Sequence, residues 1–347
     1  MPAFFLFTGV GTGLAFHDGG VARCGGCHVM HGELDGQVVM IGNTPLLAAS
    51  SSTDLCLACH GGNNGVFALS PLDPSPERGA GNFIFLLEDN LNDGPDGSMN
   101  PIGGETAGHN VISLANGVGV DTQWLFSPGG NFPSNELGCV SCHDPHGNSS
   151  FRMLNGAGPV QGGLFTFVNS APEAAGINGT NPGSFETDDN HTAYRSGMGQ
   201  WCANCHGTYH DGPGSQIFEH DFDEDISDSE MDNYNTYNGD ADPSGGHSAT
   251  AYLAAVPFEY SGAEIDNQAG PGPGSRVMCL TCHRAHASSA PHALRWDMNA
   301  GSLDQDGVVS GSFPIPNPYL DPGQGSLCSK CHFGDLETSR LVPAESP

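Results

Sequence analysis

The sequence predicts a chain without long helices or a large regular sheet, whose interior is supplied by something other than its own side chains. Three observations predict this. The 347 residues include 51 Gly and 25 Pro, which break regular elements. Leu, Ile, Val and Phe make up only about a fifth of the chain, and nine Lys+Arg stand against 39 Asp+Glu for a formal charge of −30, a composition at the border of disorder. All twelve cysteines fall into six copies of one short pattern.

The charge removes whole classes of partner. An acidic chain is repelled by phosphate backbones, and its nine basic residues (Arg23, Arg78, Arg152, Arg195, Arg276, Arg284, Arg295, Lys330, Arg340) form no cluster to offset this. Nucleic acid and anionic lipid surfaces are therefore excluded as natural partners. No apolar run reaches the roughly 18 residues that a membrane span requires.

Residues 1–15 are apolar and end in Gly13-Leu14-Ala15, a small-x-small pattern like a secretory cleavage site, although a basic leading segment is missing. The expectation is an exported chain with residues 1–15 as a signal and residues 16–347 as a single unit.

The six cysteine motifs are Cys24-Gly-Gly-Cys27-His28, Cys56-Leu-Ala-Cys59-His60, Cys139-Val-Ser-Cys142-His143, Cys202-Ala-Asn-Cys205-His206, Cys279-Leu-Thr-Cys282-His283 and Cys328-Ser-Lys-Cys331-His332. A bare C-x-x-C fits zinc, a redox dithiol or haem, whereas C-x-x-C-H reads as c-type haem attachment. Six such pairs all followed by His have a chance probability on the order of 10⁻⁸. Two thiols three positions apart on one helical turn can form thioethers with both vinyl groups of one porphyrin. The histidine that follows then lies under the iron. Zinc would need two such pairs per ion and no obligatory histidine. Six c-type haems supply flat apolar plates that replace the missing aliphatic core, and their thioethers restrict the unfolded chain much as disulfides do. The apoprotein is expected to be largely unfolded.

With His28, His60, His143, His206, His283 and His332 as proximal ligands, ten histidines remain, enough to close the sixth position of every iron. His31, His146 and His286 follow a proximal histidine by three residues and His210 by four. From there a side chain reaches a neighbouring plate but not its own iron. His109 and His220 sit in loops from which a distal ligand can swing into place, and His17 can serve if the N-terminal segment is tied down. His191, His247 and His292 stand in polar stretches and read as solvated surface.

These residues resemble a known group, the OmcS-type hexahaem outer-surface cytochromes that polymerise into extracellular filaments. The resemblance is carried in order by Phe16 to His31, Gly108-His-Asn110, Asn131-Phe-Pro through Cys142-His-Asp-Pro-His-Gly147, Trp201 to His206, Ala251-Tyr-Leu through Pro257-Phe-Glu259, and Cys282-His-Arg-Ala-His-Ala287. It implies a multihaem cytochrome c, mostly coil with short helices and minimal strand, wrapped around a continuous stack of six haems with bis-histidine ligation. It also implies a head-to-tail homopolymer in which His31 completes the haem held by Cys279, Cys282 and His283 of the next protomer. The matched distal candidates are His17, His31, His109, His146, His210, His220 and His286, seven for six positions. Shorter inter-motif segments and a single lysine depart from the family.

The implied function is electron transfer outside the cell, with redox proteins or extracellular metal oxides as terminal partners. Two other readings stay open: an oxidoreductase acting on a small nitrogen or sulfur compound, and a monomeric periplasmic shuttle. A carboxylate roughly 10 Å from an iron contributes about 1.7 kcal/mol at an effective dielectric near 20, so an acidic shell favours ferric iron. Asp221-x-Asp223-x-Asp225 begins like a calcium loop but has Ile226 where the turn wants Gly. With the acidic turns at Asp89 to Gly97 and Asp304 to Gly307, it reads as a solvated loop, with Ca²⁺ as a weak alternative.

Overall fold

The computed structural model describes residues 17, 24–29, 33–34, 37–38, 47–62, 65–67, 79–87, 107–177, 186–210, 220, 222, 224–297, 301–303, 317–319 and 321–333. Residues 1–15, His31, the side chain of His210, Asp221, Asp223 and the two acidic turns lie outside the described parts. Asp225 of the calcium-like segment is instead engaged in an ion pair with Arg276 at 3.2 Å.

Regular structure is sparse. Six α-helices are described: α1 (Ser52–His60), α2 (Cys139–Cys142), α3 (Met198–Cys202), α4 (Asp228–Thr236), α5 (Cys279–Cys282) and α6 (Ser329–His332). Among the described residues strands occur only as three two-stranded antiparallel ladders, β1–β2 (Glu33–Leu34 with Gln37–Val38), β3–β4 (Gly158–Val160 with Phe165–Phe167) and β5–β6 (Glu173–Ala175 with Ala193–Ser196). Five of the six helices carry residues of a cysteine motif. Only α1 and α4 reach nine residues, and each starts on a serine N-cap, Ser51 or Ser227, whose hydroxyl accepts from the backbone N–H three residues on.

The apolar residues divide into separate clusters where a protein of this size would ordinarily have one contiguous core. The first gathers Phe83–Leu86, Val111, Val118 and Ala287 against Leu57 of α1. The second gathers Tyr234, Tyr252, Val256, Phe258, Trp296 and Leu327, with Cys282, Cys328 and Cys331 against its edge. A third, Tyr194, Met198, Met278 and Leu280, joins α3 to α5. Each cluster borders motif helices, so the space between the clusters belongs to whatever the motifs hold.

Two segments repeat one backbone design 140 residues apart. In the first, the N–H groups of Asp144 and Asn155 donate to the carbonyls of Met153 and Cys142. In the second, those of Arg284 and Arg295 donate to Ala293 and Cys282. His143 bridges Leu154 as His283 bridges Leu294, and the turn between them passes through left-handed backbone at Arg152 and Met153 in one unit and His292 and Ala293 in the other.

Candidate functional site

Five of the six motifs are folded as a tight turn closed by one backbone hydrogen bond. The histidine N–H donates to the carbonyl of the first cysteine at 2.8 Å in motif one, 3.0 Å in motif three, 3.1 Å in motif four and 2.9 Å in motifs five and six. Motif two lies inside α1, with His60 as its last residue. The sequence therefore builds six copies of one local geometry, as its spacing requires.

The distal histidines complete the arrangement. Ring centroids lie 6.1 Å apart for His17 and His60, 6.3 Å for His28 and His146, 5.9 Å for His109 and His206, and 5.9 Å for His220 and His332. Two metal–nitrogen bonds of about 2 Å, each with roughly 1 Å from nitrogen to ring centre, need a separation of about 6 Å. In each pair one histidine follows a C-x-x-C and the other is a distal candidate. Among the described residues His143 and His286 make no ring contact with each other, and His286 instead stacks on Phe83 with ring centroids 4.4 Å apart.

Hydrogen bonding fixes the tautomers. Nδ1 faces a backbone carbonyl in His143 (Arg152, 2.9 Å), His206 (Pro128, 2.7 Å), His283 (His292, 2.9 Å), His109 (Ala285, 2.6 Å) and His17 (Pro145, 3.0 Å). An Nδ1–H that donates to a carbonyl leaves the Nε2 lone pair for a metal. Burial pushes the pKa of His60, His109, His143 and His283 down, and that of His286 down to about 3, with His143 and His109 adding to the effect. Ligation needs neutral imidazole, which these surroundings provide.

Backbone contact places the distal loop. The Gly108 backbone lies against His286 and Ala287, where an added Cβ would fall 2.2 Å from the His286 carbonyl oxygen. The His109 N–H donates to that same carbonyl at 2.8 Å. Glycine at 108 is what lets His109 reach His206.

The cysteines fit thioether chemistry better than zinc. Among the described residues no disulfide joins these cysteines, and no group of three or more His, Cys, Asp or Glu converges on a cation position. Burial, with Cys205 nearby, pushes Cys142 up to about 12, and burial pushes Cys282 up to about 12 and Cys205 to about 11. The motifs also touch in series. Cys56 hydrogen-bonds Cys139, Cys142 acts on Cys205, Cys202 hydrogen-bonds Cys279, and Cys282 feels Cys328 and Cys331. An open cleft of about 630 Å³ beside Gly129, Gly130 and Cys205 lies at motif four.

The three histidines expected at the surface also stay outside these pairs. His247 caps a short turn, its Nδ1 accepting from the Ala249 N–H at 3.2 Å, and His292 is exposed. His191 corrects the surface reading: it is 3% exposed, stacks on Tyr252 at 3.6 Å, and places its two nitrogens 3.1 Å from the Thr192 and Asn267 carbonyls. A neutral imidazole donates to one of these two carbonyls, and the stack on Tyr252 holds the ring in place, so this is a structural histidine. Sequence reasoning also missed the carbonyls that orient the ligands; the shared C-x-x-C-H-x-x-H spacing of motifs three and five was the available signal for two of them.

The fold and its motifs define a multihaem c-type cytochrome. No family model matches the chain. It is similar to the OmcS type: it is 28% identical to the C-type cytochrome OmcS of Geobacter sulfurreducens over 436 aligned residues, spanning 96% of this chain and 98% of that one. Two solved structures from that organism share the fold at 26% identity, covering 92% of this chain and all of theirs. They are the outer membrane cytochrome S filament, with a TM-score of 0.74, and the OmcS nanowires, with 0.75.

Proposed function

We propose that this chain is an exported electron carrier with six bis-histidine c-type haems, and that copies of it assemble head to tail into an extracellular filament. Bound haem supplies a one-electron Fe(III)/Fe(II) couple at each site; the chain's own residues attach it, orient the axial nitrogens and set the surrounding charge. The observation that carries the reading is the set of four histidine pairs at 5.9–6.3 Å. Closed coordination at both faces suits electron transfer and leaves no position for a substrate.

The ligand assignment supports the filament. The second histidine of motif three, His146, faces His28 of motif one, and by the same relation the second histidine of motif five, His286, is assigned to His143 of motif three. Motif one carries the same spacing in His31, while His283 of motif five has no ring partner among the described residues. Continuing the relation hands His31 to His283 of a second copy, a contact that does not close on itself and so propagates. Of the seven distal candidates, His210 is then the spare. The series of cysteine contacts makes motifs two to six successive neighbours along the conduit.

Among the described residues no helix is long and apolar enough to cross a membrane. The partners proposed are a second copy of the chain and, at the filament ends, redox proteins or metal oxides; no substrate is transformed. Electron microscopy of purified material tests this directly. Filaments whose irons are all six-coordinate support the reading. Monomers with every ligand in cis would favour a shuttle, and a five-coordinate iron over a distal cavity in assembled protein would favour an oxidoreductase.

A further inference from the structure

The two backbone units that repeat 140 residues apart carry different charge. After the proximal histidine, unit three has Asp144 and unit five has Arg284. At the carbonyl of the first motif cysteine's successor, Asn155 donates to Val140 at 3.2 Å, and Arg295 donates through Nε to Leu280 at 2.7 Å. The positions correspond one to one, so a neutral amide and an acid in one unit are replaced by two guanidinium groups in the other. The remaining cation of unit three, Arg152, also acts on His143 but is exposed, so solvent screens its charge.

Arg295 is the more unusual of the two. It is 2% exposed, and its three nitrogens donate to the carbonyls of Leu280, Ala254 at 3.3 Å and Gly79 at 3.5 Å. No carboxylate among the described residues lies in ion-pair range of it; Glu186 acts on it only from further away. Arg284 donates to the same Gly79 carbonyl at 3.2 Å, so two like charges converge beside motif five. Burying a cation without a partner costs several kcal/mol, and neutral residues fill the equivalent position in unit three. Burial lowers the Arg295 pKa to about 10, which leaves it charged near neutrality. Its field already reaches Cys282 and His283.

We propose that Arg295 and Arg284 hold the haem of motif five at a higher reduction potential than the haem of motif three, making the site completed across the protomer junction a preferred resting place for the electron. The inference rests on the haem reading above. Reduction adds an electron, so a fixed positive charge nearby favours the ferrous form. A unit charge acting over roughly 10 Å at an effective dielectric near 20 changes the reduced-to-oxidised ratio on the order of tenfold. Arg295 is thus a positioning and charge-setting residue, without contact to the iron.

The test is a spectropotentiometric titration of the full chain. Haem content per chain is measured first by mass on every sample, so a failed haem reading and a failed inference are seen separately. The double variant Arg284→Asp, Arg295→Asn installs the residues that unit three already accommodates. It should lower the midpoint of one haem's share of the absorbance by at least tenfold in its reduced-to-oxidised ratio, while Arg295→Lys restores it in part. The reciprocal Asn155→Arg should raise one haem's share instead, and it serves if the double variant does not accumulate. Arg195→Gln, which removes an exposed arginine paired with Glu264, should leave the curve unchanged. Fully loaded variants that titrate like the parent, or in which every haem shifts equally, would overturn the inference.

Discussion

The rings of His28 and His146 lie 6.3 Å apart and within 1° of parallel, although 118 positions separate them in the sequence. One belongs to motif one and the other follows motif three. In the proposed reading their relation ties two haem sites to each other, so that ligation would also join distant parts of this chain. Without a contiguous core, such pairs must carry much of the tertiary structure.

Replacing a distal ligand should therefore be visible both spectroscopically and structurally. His146→Ala should convert one haem from low to high spin, seen by electron paramagnetic resonance, and should loosen the contact between the first and third motifs. A spectrum identical to the parent protein would remove His146 from the ligand set.

His31→Ala should act differently. The variant chain should fold, load its haems and remain soluble as single copies, with electron microscopy showing no filaments. Filaments of normal appearance would show that another residue completes the motif-five iron.

Expression without the cytochrome-maturation machinery should yield an unfolded chain. The three small apolar clusters cannot offset the conformational entropy of a chain this long. Near-ultraviolet circular dichroism should show no fixed aromatic environments, and a cooperative near-native transition would contradict this.

His191→Ala provides the contrast. Losing the stack on Tyr252 and a buried hydrogen bond to a backbone carbonyl should lower stability by about 2 kcal/mol, measured by thermal unfolding. Haem spectra and midpoints should be unchanged. A change in spin state would place His191 among the ligands.

Asp54 ties α1 to a neighbouring loop. Burial pushes its carboxyl up, but hydrogen bonds from Ser113 (2.5 Å), Ser50 (2.5 Å) and Ser51 outweigh this and hold it below the ordinary value. A carboxyl lowered in the folded state stabilises above its unfolded pKa, and that contribution is lost as pH falls through the folded value. Asp54→Asn should remove this acid dependence and reduce stability at neutral pH. Parallel pH profiles of the variant and the parent would contradict the assignment.

The sequence made the attachment sites legible because thioether and proximal-ligand chemistry is local: one helical turn holds all three residues. It made the scarcity of regular structure legible through Gly, Pro and the missing aliphatics. Distal pairing was not legible, because the partner of His28 is fixed by a contact spanning more than a hundred residues. His191 looked like a surface residue, since its neighbours Asn190 and Thr192 are polar; Tyr252, the ring that buries it, lies far along the chain. The opposite charges of the two repeated units were present in the sequence as Asp144 against Arg284 and Asn155 against Arg295. Only the matching hydrogen bonds showed that these positions correspond.

The most direct test is a cryo-electron-microscopy map of the assembled protein at a resolution that assigns both axial ligands of every iron. The account predicts His17 with His60, His28 with His146, His109 with His206, His220 with His332, His143 with His286, and His283 with His31 of a neighbouring copy. Irons ligated by other residues, or plates lying away from these paired imidazoles, would contradict it.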